Sequence, residues 1–163
     1  MSITNDITTD LEVLDAVVKV LQKPFAKSQV FITAEPIFLG LSYPGDEYIE
    51  VVPGAKIDRG ATVGHGLCSQ EIRIVCFRRL MMDIQEQDTQ RLINESRGLV
   101  ATVNKVYSSL SNNFLENLLV VPMHPVRQSA ASVAPLTATG WASIERVFTC
   151  QYEQPFPEVQ NDG

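Results

Sequence analysis

Between Gly60 and Gly66 the chain reads Gly-Ala-Thr-Val-Gly-His-Gly, with Cys68 two residues further on. Glycines at this density let backbone N–H groups close around an anion, which is the chemistry of a phosphate loop. The surroundings oppose that reading. No Gly-Lys-Ser/Thr ending follows, and the next segment is strand-like where a phosphate loop needs the N-terminus of a helix. His65 and Cys68 also carry a metal-like spacing, and His124, Cys76 and Cys150 could complete a four-coordinate set. Zinc-binding sequences show two paired ligand clusters, however, and His124 stands alone between Pro122 and Pro125. The same His and Cys lack a third, orienting group at recognisable spacing, so a Cys-His nucleophile is not defined either. Asp83, Glu86 and Asp88 precede a helical run and suit its positive N-terminal end better than acid–base work. The sequence therefore assigns no catalytic residue, no cofactor and no metal.

Periodicity says more than these residues do. From Thr89 to Leu110, Leu92, Ile93, Ser96, Leu99, Val100, Val103, Val106, Tyr107 and Leu110 recur at helical spacing and predict one long helix with a single apolar stripe. A first helix is predicted over 10–23, opened by a capping box of Thr9 and Glu12 and closed by Pro24. Its apolar arc is too broad for one sheet to cover, which implies burial inside the domain or against a neighbouring subunit. Strands are predicted near 29–35, 47–52, 70–78, 118–121 and 141–152, bounded by Pro and Gly. Gln70 to Arg78 has the pattern of a central strand. The last strand spans about 40 Å at ~3.3 Å per residue, long enough to overrun a small sheet and need cover from an adjacent chain. Arg146 interrupts its apolar face where the sheet ends or bends. Two long loops are expected, Pro53–Ser69 and Pro122–Gly140. The fold class is thus α+β, a single mostly antiparallel sheet covered by the 89–110 helix with the 10–23 helix beside it. One domain covers 1–154, followed by a flexible tail, 155–163.

Composition narrows the function. A chain of 163 residues with a formal net charge of −6 holds one domain and does not grip nucleic acid nonspecifically, which needs clustered Lys and Arg. The same charge suits a conduit through which DNA slides. Three cysteines, an odd number, are expected to be reduced thiols, Cys76 and Cys150 lying in strand-like runs. Neither a signal peptide nor a membrane span is read, so assembly in a cytoplasm is expected.

Surface left over after one domain folds points to self-association. Candidate subunit contacts are Val13, Val17 and Val20 on the first helix, Arg78 and Arg79 in the densest basic patch, and Arg146 and Phe148 on the overlong strand. The element order, with Asp10-Leu-Glu-Val-Leu-Asp-Ala-Val-Val-Lys-Val-Leu at the start, Gln70-Glu-Ile-Arg-Ile-Val-Cys-Phe in the middle and Trp141-Ala-Ser-Ile-Glu-Arg-Val-Phe-Thr-Cys-Gln-Tyr near the end, resembles the tail terminator (tail completion, neck) proteins of long-tailed phages. That resemblance implies a non-enzymatic virion protein forming a homohexameric ring. Its partners would be further copies of itself, the tail tube protein, the head-tail connector or neck protein and, through the long loops, a sheath; DNA passes through the bore as cargo. A head-side neck adaptor or stopper would need the same devices. A third expectation is a small cytoplasmic α/β metal- or ligand-binding enzyme using the His65/Cys68 loop.

Overall fold

Alternation over 70–78 places Ile72, Ile74 and Cys76 on one side of a strand, and in the computed structural model that side is the floor of the core. Residues 5–33, 43–62, 65–79, 98–130 and 141–155 are described, the side chains at 5–10, 58–62, 65 and 155 excepted. The elements follow in the order α1 (Asn5–Leu21), a 3-10 turn (Lys27–Gln29), β1 (Val30–Ile32), β2 (Glu47–Thr62), β3 (His65–Arg79), α2 (Leu99–Leu110), β4 (Val121–Gln128) and β5 (Trp141–Pro155). The five strands form one sheet in the order β1-β2-β3-β5-β4. Only β1 to β2 is parallel. An α+β fold with a mostly antiparallel sheet is therefore what the chain adopts.

Both helices lie on one face. α1 buries Val13, Leu14, Val17 and Leu21, and α2 buries Leu99, Thr102, Val103, Val106 and Leu110, all over Val30, Ile49, Val51, Ile72, Ile74, Ile144 and Phe148 of the sheet. α1 also touches α2, so its broad apolar arc is sandwiched inside the protomer, with Ala16, Val18 and Val20 packed at the margin of the same core. The helix starts earlier than predicted, at Asn5, which puts Thr9 in its interior and not at a capping position.

One long helix over 89–110 is not what forms. Gly98 is the N-cap of α2, in extended backbone (φ −88°, ψ −171°), so the helix begins at Leu99; residues 80–97, with the acidic positions 83, 86 and 88, lie outside the described set. A mid-helix glycine costs about 1 kcal/mol relative to alanine and leaves the turn free to break there.

The predicted loop 53–69 is instead the two arms of a hairpin. β2 and β3 pair from Glu47↔Arg78 to Thr62↔His65, with irregularities between Pro53 and Lys56 and between Asp58 and Ala61. Bulges of this kind absorb prolines and glycines into a strand pair and increase its twist. Gly54 sits where a Cβ would come within 2.8 Å of Glu71 Cβ and 2.9 Å of its carbonyl oxygen, so the strands approach there only because the side chain is missing. β3 then covers the long last strand over its whole length, from His65↔Pro155 to Arg79↔Trp141. The overrun that needed an adjacent chain does not exist, because a partner of equal length stands beside it. Pro155 is part of β5, and 156–163 lie outside the described residues.

The strand expected at 118–121 begins only at Val121 and continues through Pro122 and Pro125 to Gln128, turning part of the second predicted loop into an edge strand; 131–140 are outside the described residues. Proline is tolerated there because an edge strand has one side without ladder bonds. Gln128 faces Arg146 at the last pair of this ladder. Arg146 thus marks the end of β4, while β5 runs on.

Candidate functional site

The helix-free face of the sheet divides in two. Near the start of β2, Tyr48 stacks on Phe77 (ring centroids 4.6 Å apart, 10° between planes) and meets Trp141 edge-on at 5.3 Å, with Phe31 and Tyr43 packed alongside. Arg79 lies over Trp141, 4.7 Å from the ring centroid. Further along, the face turns polar: Arg73 pairs with Glu145, and Arg127 with Glu71 at 3.2 Å. Trp141 therefore sits on the opposite face from Phe148 and Tyr152, which belong to the helix-side core.

The candidate metal ligands do not converge. Cys68, Cys76 and Cys150 are buried on the helix side, whereas His124 is exposed and opposite Thr149 on the other face. Burial pushes the Cys150 thiol up to about 12, with Cys68 nearby adding to it, and raises Cys76 for the same reason, with Glu47 contributing. Such thiols are protonated and out of reach of a substrate. Among the described residues, no three His, Cys, Asp or Glu side chains group as a metal site, and no helix is long and apolar enough to cross a membrane.

The predicted contact residues separate on inspection. Val13, Val17 and Phe148 have no exposed surface, being consumed by the protomer's own core, and cannot meet a neighbour. Sequence periodicity identified them as apolar surface in need of cover; the cover is intramolecular. Val20 is half-buried and lines a groove of about 350 Å³ between α1 and the turn after α2, with Leu115, Leu118 and Glu116 opposite. Arg78 reaches Glu47 at 3.3 Å, and that carboxylate also accepts the Thr102 hydroxyl, tying β2 and β3 to α2. Arg79 is held by Asp46 at 3.5 Å and by the carbonyls of Tyr43 and Gly45. Arg146 stacks on Tyr107 of α2 at 4.7 Å and donates to Gln128. All three arginines have partners within the chain.

Apolar surface remains elsewhere. Eight large apolar side chains are exposed among the described residues, and six of them lie toward the two sides of the sheet: Ile32 on β1 and Ile57 on β2 at one side, Val121 and Val126 on β4 with Phe114 and Val120 in the connection before it at the other, each 38 to 55 % exposed. Scattered single residues would need no explanation, but two opposed edges of one sheet do. Among the described residues β1 pairs with β2 from Ile49 to Val51, and the exposed Ile57 lies beyond that ladder. On the far side, the chain leaves α2 through Asn112 and three consecutive residues with left-handed backbone, Leu115, Glu116 and Asn117 (φ 51°, 57° and 67°). Each such residue costs roughly 1–2 kcal/mol. The Asn113 side chain holds the turn by accepting the Leu115 N–H at 2.8 Å, and Leu115 and Leu119 are buried beneath it. The outcome is that Phe114 faces solvent beside the start of β4. The sequence reading missed Ile57, Phe114 and Val120 because exposure is set by where neighbouring strands stop, which no local pattern records.

A comparison with known protein families and with curated proteins finds no match to this chain.

Proposed function

We propose that the chain is a structural, non-enzymatic subunit that closes into a ring and terminates a phage tail tube, joining it to the head-side neck with DNA passing through the bore. The single observation that carries this reading is the pair of apolar edges on a sheet whose helix-side core is already full. Burying a Val, Ile or Phe side chain is worth about 1.5–3 kcal/mol, a gain that docking of another copy would supply. Two different patches on opposite edges favour head-to-tail contact, which generates a ring when the rotation per copy closes. The element order resembling tail terminators and the net charge of −6, which keeps a bore from adhering to DNA, agree with this role. The homohexamer comes from the resemblance.

The test is electron microscopy of the purified chain mixed with tail tubes. Rings seated on one end of the tubes are the expected result. Rings that ignore tubes and bind the head-side connector would assign the subunit to the neck adaptor instead, and particles with neither ring nor tube binding would remove the reading.

A further inference from the structure

α1 carries charges that its own protomer leaves unused. Glu12, Asp15, Lys19 and Lys23 are exposed and share one side of the helix, where they line the groove in front of the turn after α2, together with the half-buried Ala16 and Val20. The acids come first and the lysines last, Lys23 standing in the turn just past Leu21. None of the four makes an ion pair with another described residue. Within one helix this order is a poor one, because Glu12 and Asp15 are like-charged neighbours, as are Lys19 and Lys23, and only Asp15 and Lys19 are opposite. The helix dipole suits the lysines but not the acids, which sit well past the first turn from Asn5.

The order of signs selects the occupant. Glu116 on the far wall adds a third carboxylate to the rim, so a uniformly acidic or uniformly basic partner meets like charge at one end of it. A helix about 10 Å across cannot sink into 350 Å³, so a helical partner lies along the rim and lends the groove its side chains. To match, that helix must present lysines to Glu12 and Asp15 and acids to Lys19 and Lys23. α1 itself, turned end for end, does so.

We infer that α1 is a self-complementary docking surface, on which a second copy lays its own α1 antiparallel, Glu12 opposite Lys23 and Asp15 opposite Lys19 on both sides of a two-fold axis. In such an isologous contact each pairing occurs twice. Ala16, small and close to the axis, lets the two helices approach. The contact goes beyond the ring reading and uses the helix layer, not the sheet edges, so it joins two protomers or two rings alike. Exposed ion pairs fix orientation more than they add affinity and are screened by salt, so the pairing belongs to low ionic strength.

The test reverses charge on each half of the stripe. Glu12→Lys with Asp15→Lys makes it wholly basic, and Lys19→Glu with Lys23→Glu makes it wholly acidic; circular dichroism checks that both proteins are folded. By light scattering at low salt, each variant alone is expected to have half the mass of wild type, and an equimolar mixture of the two to regain the full mass, since the basic stripe then meets the acidic one. Wild type is expected to fall to half its mass as salt is raised. A mixture no heavier than its components, a variant that keeps the wild-type mass, or a wild-type mass indifferent to salt overturns the inference. The ring reading is judged separately, by whether each variant alone still holds more than one protomer.

Discussion

Phe148 and Ile57 offer opposite outcomes from comparable truncations. Phe148 is fully enclosed under the helices, in register with Ile72 on β3 and Pro125 on β4. Cutting a buried Phe to Ala removes its transfer free energy and leaves a cavity, together about 3–5 kcal/mol. Domains of this size hold about 5–15 kcal/mol in all, so the loss is a large fraction of the protomer's stability. Ile57 is 55 % exposed, and its replacement is expected to alter protomer stability by no more than about 0.5 kcal/mol. The measurement is urea unfolding followed by far-UV circular dichroism, made in the Ile57→Asp background so that association does not add to apparent stability. With a slope near ~2 kcal/mol/M, Phe148→Ala is expected to lower the midpoint by about 1.5–2.5 M and leave the slope unchanged. A shift below about 0.5 M, together with loss of assembly when Phe148→Ala is made in the wild-type chain, would show that Phe148 is a contact residue and that the partition between core and edge is wrong.

Three further results are expected. Tyr152 donates to the Gln70 side-chain oxygen at 2.7 Å in the core, so Tyr152→Phe strands that oxygen and should cost about 1–3 kcal/mol in the same unfolding assay; adding Gln70→Leu should restore part of it, and strict additivity would deny the coupling. Gly54→Ala drives a methyl into Glu71 and should cost about 1–3 kcal/mol, a neutral result meaning that the hairpin arms do not approach so closely. The buried thiols set a pH dependence. Unfolded cysteine ionises near ~8.5 while folded Cys150 holds its proton to about 12, so the unfolded chain binds fewer protons in that window and stability falls as pH rises through it. Cys150→Val should flatten that fall between pH 8 and 10, and unchanged steepness would contradict the assignment.

How much of this was legible in the sequence depends on whether a feature is local. Ile72, Ile74 and Cys76 alternate, and they are the floor of the core; Val103, Val106 and Leu110 recur at helical spacing, and they face it. The glycines and prolines between 53 and 66 misled, because punctuation that usually ends a strand is here absorbed by two bulges, and the partner that permits it lies in β3. From that error followed the uncovered end of β5. Glu50 is fully buried on the helix-free face, a placement its residue type gives no sign of. Apolar excess on α1 was read correctly as needing cover, but periodicity cannot tell whether cover comes from α2 or from another molecule. The turn at 115–117 leaves no signature either, since Leu and Glu rarely adopt left-handed backbone.

Native mass spectrometry of the purified chain over a range of concentrations tests the central claim most directly. The account predicts a closed species near six times the 18.1 kDa protomer, growing from one protomer as concentration rises. A single 18.1 kDa species at every concentration, with and without tail tubes, would contradict it.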